Sequence, residues 1–266
     1  LEAPIGVFDS GVGGLSVLRA LRAELPNERF VYLADSAHAP YGERGDAFVA
    51  ARTLTIANHL VTQHQIKALV VACNTATAAA IEAVRARHPT LPVVGVEPAL
   101  KPAVALTPNG RIGVMATRGT LNSARFAQLL AAMPPQADFV LQPCDGLAHA
   151  IERCTVDPGA EAQVRALCQR YTQAMGHVDT VVLGCTHYVF AQDTLGALLG
   201  PDVALIATGE PVARQTRRLL AASGQLASGH GAVQLFTTGD VLALQAAAAR
   251  WLQLPPQACA STQVPA

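Results

Sequence analysis

The chain has 266 residues, 51% of them apolar and only 14% charged, with 19 basic residues balancing 19 acidic ones. That length builds one large or two small domains around a sizeable core. A net charge of zero lacks the basic footprint of a nucleic-acid binder, and no apolar run approaches the roughly 18 residues of a membrane span.

The first residues, LEAPIGVFDS, carry neither a basic n-region nor a long apolar h-region, so no signal peptide is expected. The absence of an initiator Met suggests that Leu1-Glu2 is an added or trimmed start. From there, short apolar runs alternate with helical patterns along the whole chain. Strands are expected at 5–9, 29–35, 66–72, 92–96, 111–116, 138–142, 178–184, 203–207 and 233–237. Most of these runs are continuously apolar, as in strands buried on both faces of a parallel sheet. Between them, Leu15, Leu18, Leu21 and Leu25 follow helical spacing, with Arg19 and Arg22 reaching outward. The alternation implies an α/β protein with mostly parallel sheets and right-handed crossovers.

Two internal echoes divide the chain. Ile5-Gly6-Val7 and Ile112-Gly113-Val114 are each followed, after two intervening residues, by a hydroxyl residue, Ser10 or Thr117. The stronger echo pairs KALVVACNT with DTVVLGCTH: a strand, one small residue, a Cys, then two polar residues. The Ile pair is offset by 107 residues and the Cys pair, Cys73 and Cys185, by 112. Nearly equal offsets imply two related α/β halves. Parallel α/β sheets bind ligands beyond the carboxyl ends of their strands, and both cysteines lie there.

The local motifs taken singly leave alternatives open. VFDSGVGGLSV (7–17) is a glycine-rich turn into a helix, either a small-anion site or a tight βα turn capped by Asp9 or Ser10. It is neither a dinucleotide fingerprint nor a P-loop. The loop LADSAHAPYGERG (33–45) carries Tyr41-Gly42 in its middle and is weakly informative. In GCTHYVF (184–190), His187 either lowers the pKa of the Cys185 thiol or caps the next helix. Glu152, on a helix, is by default a solvated surface carboxylate. The other cysteines, Cys144, Cys154, Cys168 and Cys259, fall in helical or turn contexts and read as structural. None of the six forms a C-x-x-C pair, so neither a metal site nor a secreted disulfide scaffold is expected, and a cytoplasmic location with reduced thiols is. Lys67 and Lys101 are the only lysines, and neither is an obvious Schiff-base residue for a pyridoxal cofactor.

Two similar thiols flanking one pocket suit inversion at a carbon bearing hydrogen. One thiolate takes the proton from one face while the opposing thiol delivers one to the other. A Cys185–His187 hydrolase or acyl transferase would need only one thiol, and a two-lobed small-anion sensor neither.

With these motifs together, IGVFDSGVGGLSVLRAL, YLADSAHAPYG, VVACNTATA, VGVEPALKPA, IGVMATRGTL and VVLGCTHY, the chain resembles the glutamate racemases of the cofactor-independent aspartate/glutamate racemase superfamily. The resemblance runs through nearly the whole length. It implies two α/β domains related by pseudo-twofold symmetry, 1–97 plus 208–266 and 98–207, with the active site in the interdomain cleft. It implies cofactor-independent interconversion of L- and D-glutamate, supply of D-glutamate for peptidoglycan, and a cytoplasmic homodimer. Aspartate or a hydantoin is the related alternative substrate. Carried over by position, Cys73 and Cys185 resemble the catalytic thiols, with Cys73 acting on D-glutamate and Cys185 on L-glutamate. Asp9 resembles the carboxylate that assists Cys73, and His187 and Glu152 the helpers of Cys185. Asp9-Ser10, Tyr41-Gly42, Asn74-Thr75 and Thr186-His187 resemble the substrate-binding pairs. One departure stands at Ala207-Thr208, where an Asp-Ser-like pair is common, and it bears on the crossover or on local capping.

Overall fold

A computed structural model describes residues 3–265; the start at Leu1-Glu2 and the last residue lie outside them. In chain order, β1 (Ile5–Asp9) leads to α1 (Leu15–Glu24), β2 (Arg29–Ala34), α2 (Asp46–His64), β3 (Ala68–Val71), α3 (Asn74–Arg87) and β4 (Val93–Gly95). The chain then continues through α4 (Leu100–Leu106), β5 (Arg111–Ala116), α5 (Arg118–Leu121), α6 (Ala124–Ala131), β6 (Asp138–Pro143), α7 (Leu147–Arg153), α8 (Glu161–Met175), β7 (Thr180–Gly184), α9 (Gln192–Leu199) and β8 (Ala204–Ile206). It closes with α10 (Gly209–Ala222), β9 (Ala232–Thr237), α11 (Val241–Leu252) and β10 (Cys259–Ser261).

The strands form two sheets with every neighbouring pair parallel, ordered β10-β9-β2-β1-β3-β4 and β6-β5-β7-β8. The run β2-β1-β3-β4 has the same internal order as β6-β5-β7-β8, so the echo in the sequence corresponds to a repeated topology. β9 and β10 extend only the first sheet.

The strands β1, β2, β3, β5 and β7 are buried on both faces, which explains their continuously apolar runs, while β6, β8 and β9 are more exposed. Side chains alternate between faces along a strand. Ile5 and Val7 of β1 therefore join Leu15, Leu18 and Leu21 of α1 and Val212 and Leu220 of α10, while Phe8 packs among Ile56 and Leu60 of α2 and Ile81 of α3. The second sheet lies between a cluster that includes Leu147, Cys168 and Leu195 and one that includes Leu100, Ala103 and Phe126. Each fully buried leucine contributes about 1.5–3 kcal/mol relative to an exposed one. Thus α4 belongs to the core of the second sheet and α10 returns to that of the first, so the chain passes twice between the two units.

All nine expected strands lie within two residues of their expected limits, β1 and β5 without any difference. β10 is an addition: Cys259 pairs with Leu235 in a parallel ladder and does not lie in a helix or turn. Its three residues carry too little apolar pattern to mark a strand. Arg19 is exposed as expected, but Arg22 is half-buried and donates to the Leu252 carbonyl at 3.4 Å. Thr208 stands at the N-terminus of α10 without a side-chain capping bond. No helix among the described residues is long and apolar enough to cross a membrane.

Candidate active site

The carboxyl ends of β1, β3, β5 and β7 converge on one cavity between the two sheets. All the residues expected at the site line it: Asp9, Ser10, Tyr41, Gly42, Cys73, Asn74, Thr75, Glu152, Cys185, Thr186 and His187. Cys73 and Cys185 are both free and buried, each in the residue before a helical turn.

On the first side, Cys73 caps α3: its sulfur accepts the Ala76 N–H at 3.4 Å, and its thiol faces Ser10 Oγ at 3.8 Å. Burial and the neighbouring charge of Asp9 push the Cys73 thiol well above its ordinary pKa, so it rests protonated, although the Ala76 N–H and Ser10 oppose that shift. Burial pushes the Asp9 carboxyl up to about 6, against the pull of His187 and the Gly14 N–H. Asp9 Oδ2 accepts that N–H at 2.6 Å, while Oδ1 is buried with no partner among the described residues.

On the second side, His187 Nδ1 lies 3.9 Å from Cys185 Sγ, and Nε2 lies 2.5 Å from Glu152 Oε2. Burial works against a charge on His187, but its bonds to Cys185 and Glu152 raise its pKa well above 6.5, so it is an imidazolium. Glu152 corrects the default expectation of a solvated carboxylate. It reaches across from α7, and both its oxygens accept the Val12 N–H at 3.1 Å. The glycine-rich turn therefore does hold an anion, one supplied by the chain itself, and it also takes Asp9 as a local cap. A Cβ on Gly11 would stand 2.6 Å from each Glu152 carboxylate oxygen, and one on Gly13 would stand 2.3 Å from His187 Nδ1. Only bare backbone lets the pair seat there.

The seam between the units is polar elsewhere too. Thr75 and Thr117 share a 3.0 Å hydroxyl bond, and Ser16 Oγ donates to the Thr186 carbonyl at 3.0 Å. Tyr41 lines the cavity, but its hydroxyl is committed to Asp35 Oδ2 at 2.6 Å. Asp35 also accepts Arg52 Nε and Nη2, at 2.8 and 2.9 Å, and Thr238 at 2.8 Å. Despite burial, these donors hold Asp35 below the usual carboxylate range. This closed network fixes the Tyr41-Gly42 loop and leaves its backbone, not the phenol, to face a ligand.

Several lining residues escaped the sequence reading, among them Thr117, Arg118, Cys144, Asp145 and His149. Thr117 was signalled by the repeat, because it is the counterpart of Ser10. Cys144 read as structural, yet it lies at the end of β6 on the cavity wall. Asp35 and Arg52 carried no signal beyond a polar loop and an arginine in a helix. Lys67 Nζ is bound to Glu28 at 2.7 Å, and neither lysine lines the cavity.

A cleft between two parallel α/β units, with a buried thiol on each unit, a carboxylate beside one and an imidazole beside the other, defines a two-lobed α/β enzyme. Residues 5–222 match the family described as Asp/Glu/Hydantoin racemase, and the chain belongs to that family. It is 51% identical over 259 residues to a glutamate racemase of Ralstonia pickettii (strain 12J), covering 97% of this chain and 90% of that protein. The glutamate racemase isoform RacE1 of Bacillus anthracis superposes with a TM-score of 0.87 at 32% identity, over 99% of this chain and 97% of the other. That of Francisella tularensis, solved in complex with D-glutamate, gives 0.84 at 28% identity over 98% of both chains. Membership in this family of isomerases favours the racemase reading over the hydrolase and sensor readings.

Substitution of Gly13 tests the seating of the pair. Gly13→Ala is expected to cost about 1–3 kcal/mol in urea unfolding and to lower turnover at least about tenfold, as for other overpacked sites. Gly45→Ala, where a Cβ meets nothing within 4 Å, should leave turnover unchanged and cost about 1 kcal/mol or less, for the loss of glycine at the N-cap of α2.

Proposed function

We propose that the protein interconverts L- and D-glutamate by moving the α-proton between two cysteines. The observation that carries this reading is the pair of buried thiols at matching strand ends of one cavity, backed by unlike partners. In the L-to-D direction the Cys185 thiolate takes the α-proton, and the Cys73 thiol delivers its own proton to the opposite face. The C–H bond to one sulfur's side is exchanged for a C–H bond on the other, and the negative charge passes from Cys185 to Cys73. The reverse direction starts from the Cys73 thiolate. The protonated resting state of Cys73 suits delivery to carbon. For the reverse reaction the substrate ammonium beside Asp9 supplies the positive charge that favours the thiolate.

The α-proton is far less acidic than a thiol, so the carbanion needs fixed charges and exclusion of water. The buried His187 imidazolium is such a charge and is already oriented, while the Asp9 carboxylate would hold the substrate ammonium next to the carbanion. Movement of 98–207 against 1–97 plus 208–266 about the two crossovers would close the cleft. Ser10, Asn74, Thr75, Thr186 and the backbone of Tyr41-Gly42 would bind the substrate. The same reading has the protein acting without a cofactor in the cytoplasm, as a homodimer, supplying D-glutamate for peptidoglycan. Family resemblance supports these last features.

The reading predicts that the purified protein, with no added cofactor, drives the circular dichroism of L-glutamate to zero while leaving L-aspartate unchanged. An unchanged glutamate signal, or faster loss with aspartate, would refute it.

Asp9 adds a pH dependence. Its folded pKa is raised, so it is ionised only above about pH 6. Because kcat/KM reports the free enzyme, that for D-glutamate should fall as pH drops through about 6. Asp9→Asn should remove this limb and lower the plateau by about 100-fold or more. A limb that persists in the variant would assign it to another group.

A further inference from the structure

The first sheet carries two strands without counterparts in the second, β9 and β10, and both lead behind the Tyr41-Gly42 loop. At the end of β9, Thr238 donates to Asp35 Oδ1 at 2.8 Å and accepts the Ala37 N–H at 3.2 Å. After β10, the Thr262 N–H donates to the Thr237 carbonyl at 2.8 Å, and the next residues cross to α2. There Val264 packs, half-buried, on the cluster that holds Tyr41, Val49 and Ile56. One residue further, the Pro265 carbonyl accepts Arg52 Nη1.

That last contact bears on the cavity because Arg52 is only 4% exposed. A guanidinium presents five N–H donors, and burial removes the water that would otherwise satisfy them. Nε and Nη2 are committed to Asp35, and Nη1 to the Pro265 carbonyl. A buried charged donor left unpaired costs more than a neutral one. Without the carbonyl, Nη1 is satisfied by entry of water or by a tilt of the side chain, and either loosens the hold on Asp35. Asp35 Oδ2 is the atom shared by Arg52 Nε and the Tyr41 hydroxyl, at 2.8 and 2.6 Å. The path therefore runs from Pro265 through Arg52 and Asp35 to Tyr41. On its other side the loop meets the second unit, since a Cβ on Gly42 would stand 2.8 Å from Thr117.

We infer that residues 263–265 form a strap that positions the Tyr41-Gly42 loop for substrate, acting through Arg52 and Asp35 without touching the substrate itself. The inference rests on the glutamate reading above, in which the backbone of this loop binds the substrate. Binding groups held in place before the ligand arrives spare it the cost of ordering them, so loss of the strap falls on substrate binding. Cys73 and Cys185 stand at other strand ends with their own partners, so the proton-transfer step keeps its geometry.

Kinetics of glutamate racemisation with the chain ended at Thr262, and with Val264→Ser in the full chain, test the strap. Ending the chain at Thr262 should raise KM about tenfold and leave kcat within about twofold, the pattern of lost binding without lost chemistry. Amide hydrogen exchange over 36–45, followed by mass spectrometry, should quicken in the same protein. Val264→Ser, which weakens the seat of the strap, should shift both readouts in the same direction by a smaller amount. A strap that served stability alone would lower the unfolding midpoint and leave KM as it was. An unchanged KM in the folded, shortened protein would overturn the inference, as would a fall in kcat alone. If the shortened chain does not fold, Val264→Ser decides, and an unchanged KM there contradicts the strap. Failure of the glutamate reading is separable, because the unsubstituted protein would then not turn over glutamate at all.

Discussion

The contact on which the site depends is the seating of the His187–Glu152 pair in the turn between β1 and α1. Three contacts meet there. The turn has free N–H groups and needs an anion, and Glu152 supplies one through the Val12 N–H. The buried imidazolium needs a counter-charge, and the same carboxylate supplies it at 2.5 Å. The Cys185 sulfur meets a ring nitrogen, His187 Nδ1, at 3.9 Å. Gly11 and Gly13 let all three form by giving up their side chains. Breaking one partner of such a buried pair leaves an uncompensated charge, which costs far more than the loss of a surface pair. The pair also joins the two units, since the turn belongs to the first sheet and the residues seated in it to the second.

Repetition supplied the two thiols, and departures from repetition made them different. Asp9 ends β1, but the corresponding residue of β5 is Ala116, so only Cys73 has a carboxylate at the end of the central strand. His187 stands two residues after Cys185, where the first half has Thr75, so only Cys185 has a basic ring. One thiol is thus held protonated by burial and a negative neighbour, and the other faces a positive one. Under the two-thiol proposal, opposed acid and base roles follow from this asymmetry, as in other sites where like groups are given unlike surroundings.

Much of this was legible in the sequence, for identifiable reasons. Strands buried on both faces write themselves as apolar runs, which is why β1 and β5 were located residue for residue. The Cys73/Cys185 echo marked the cavity because strand ends are where a repeated fold brings equivalent residues together. The resemblance set Glu152 beside His187, but its seating on the Val12 turn was not legible, since its i, i+3 and i, i+4 neighbours on α7 reveal nothing about a turn 140 residues earlier. The same holds for Asp35 and Arg52, whose pairing depends on how α2 lies over the loop after β2. β10 was missed because three residues of small side chains depend on an existing sheet edge to become a strand.

The central claim is that each thiol serves one face of the α-carbon. The most direct measurement follows the α-hydrogen of each glutamate enantiomer by proton NMR in deuterium oxide, with Cys73→Ala and Cys185→Ala. Neither variant should racemise. Cys73→Ala should still exchange the α-hydrogen of L-glutamate, and Cys185→Ala that of D-glutamate. Racemisation by either variant, or exchange of the same enantiomer by both, would contradict the account.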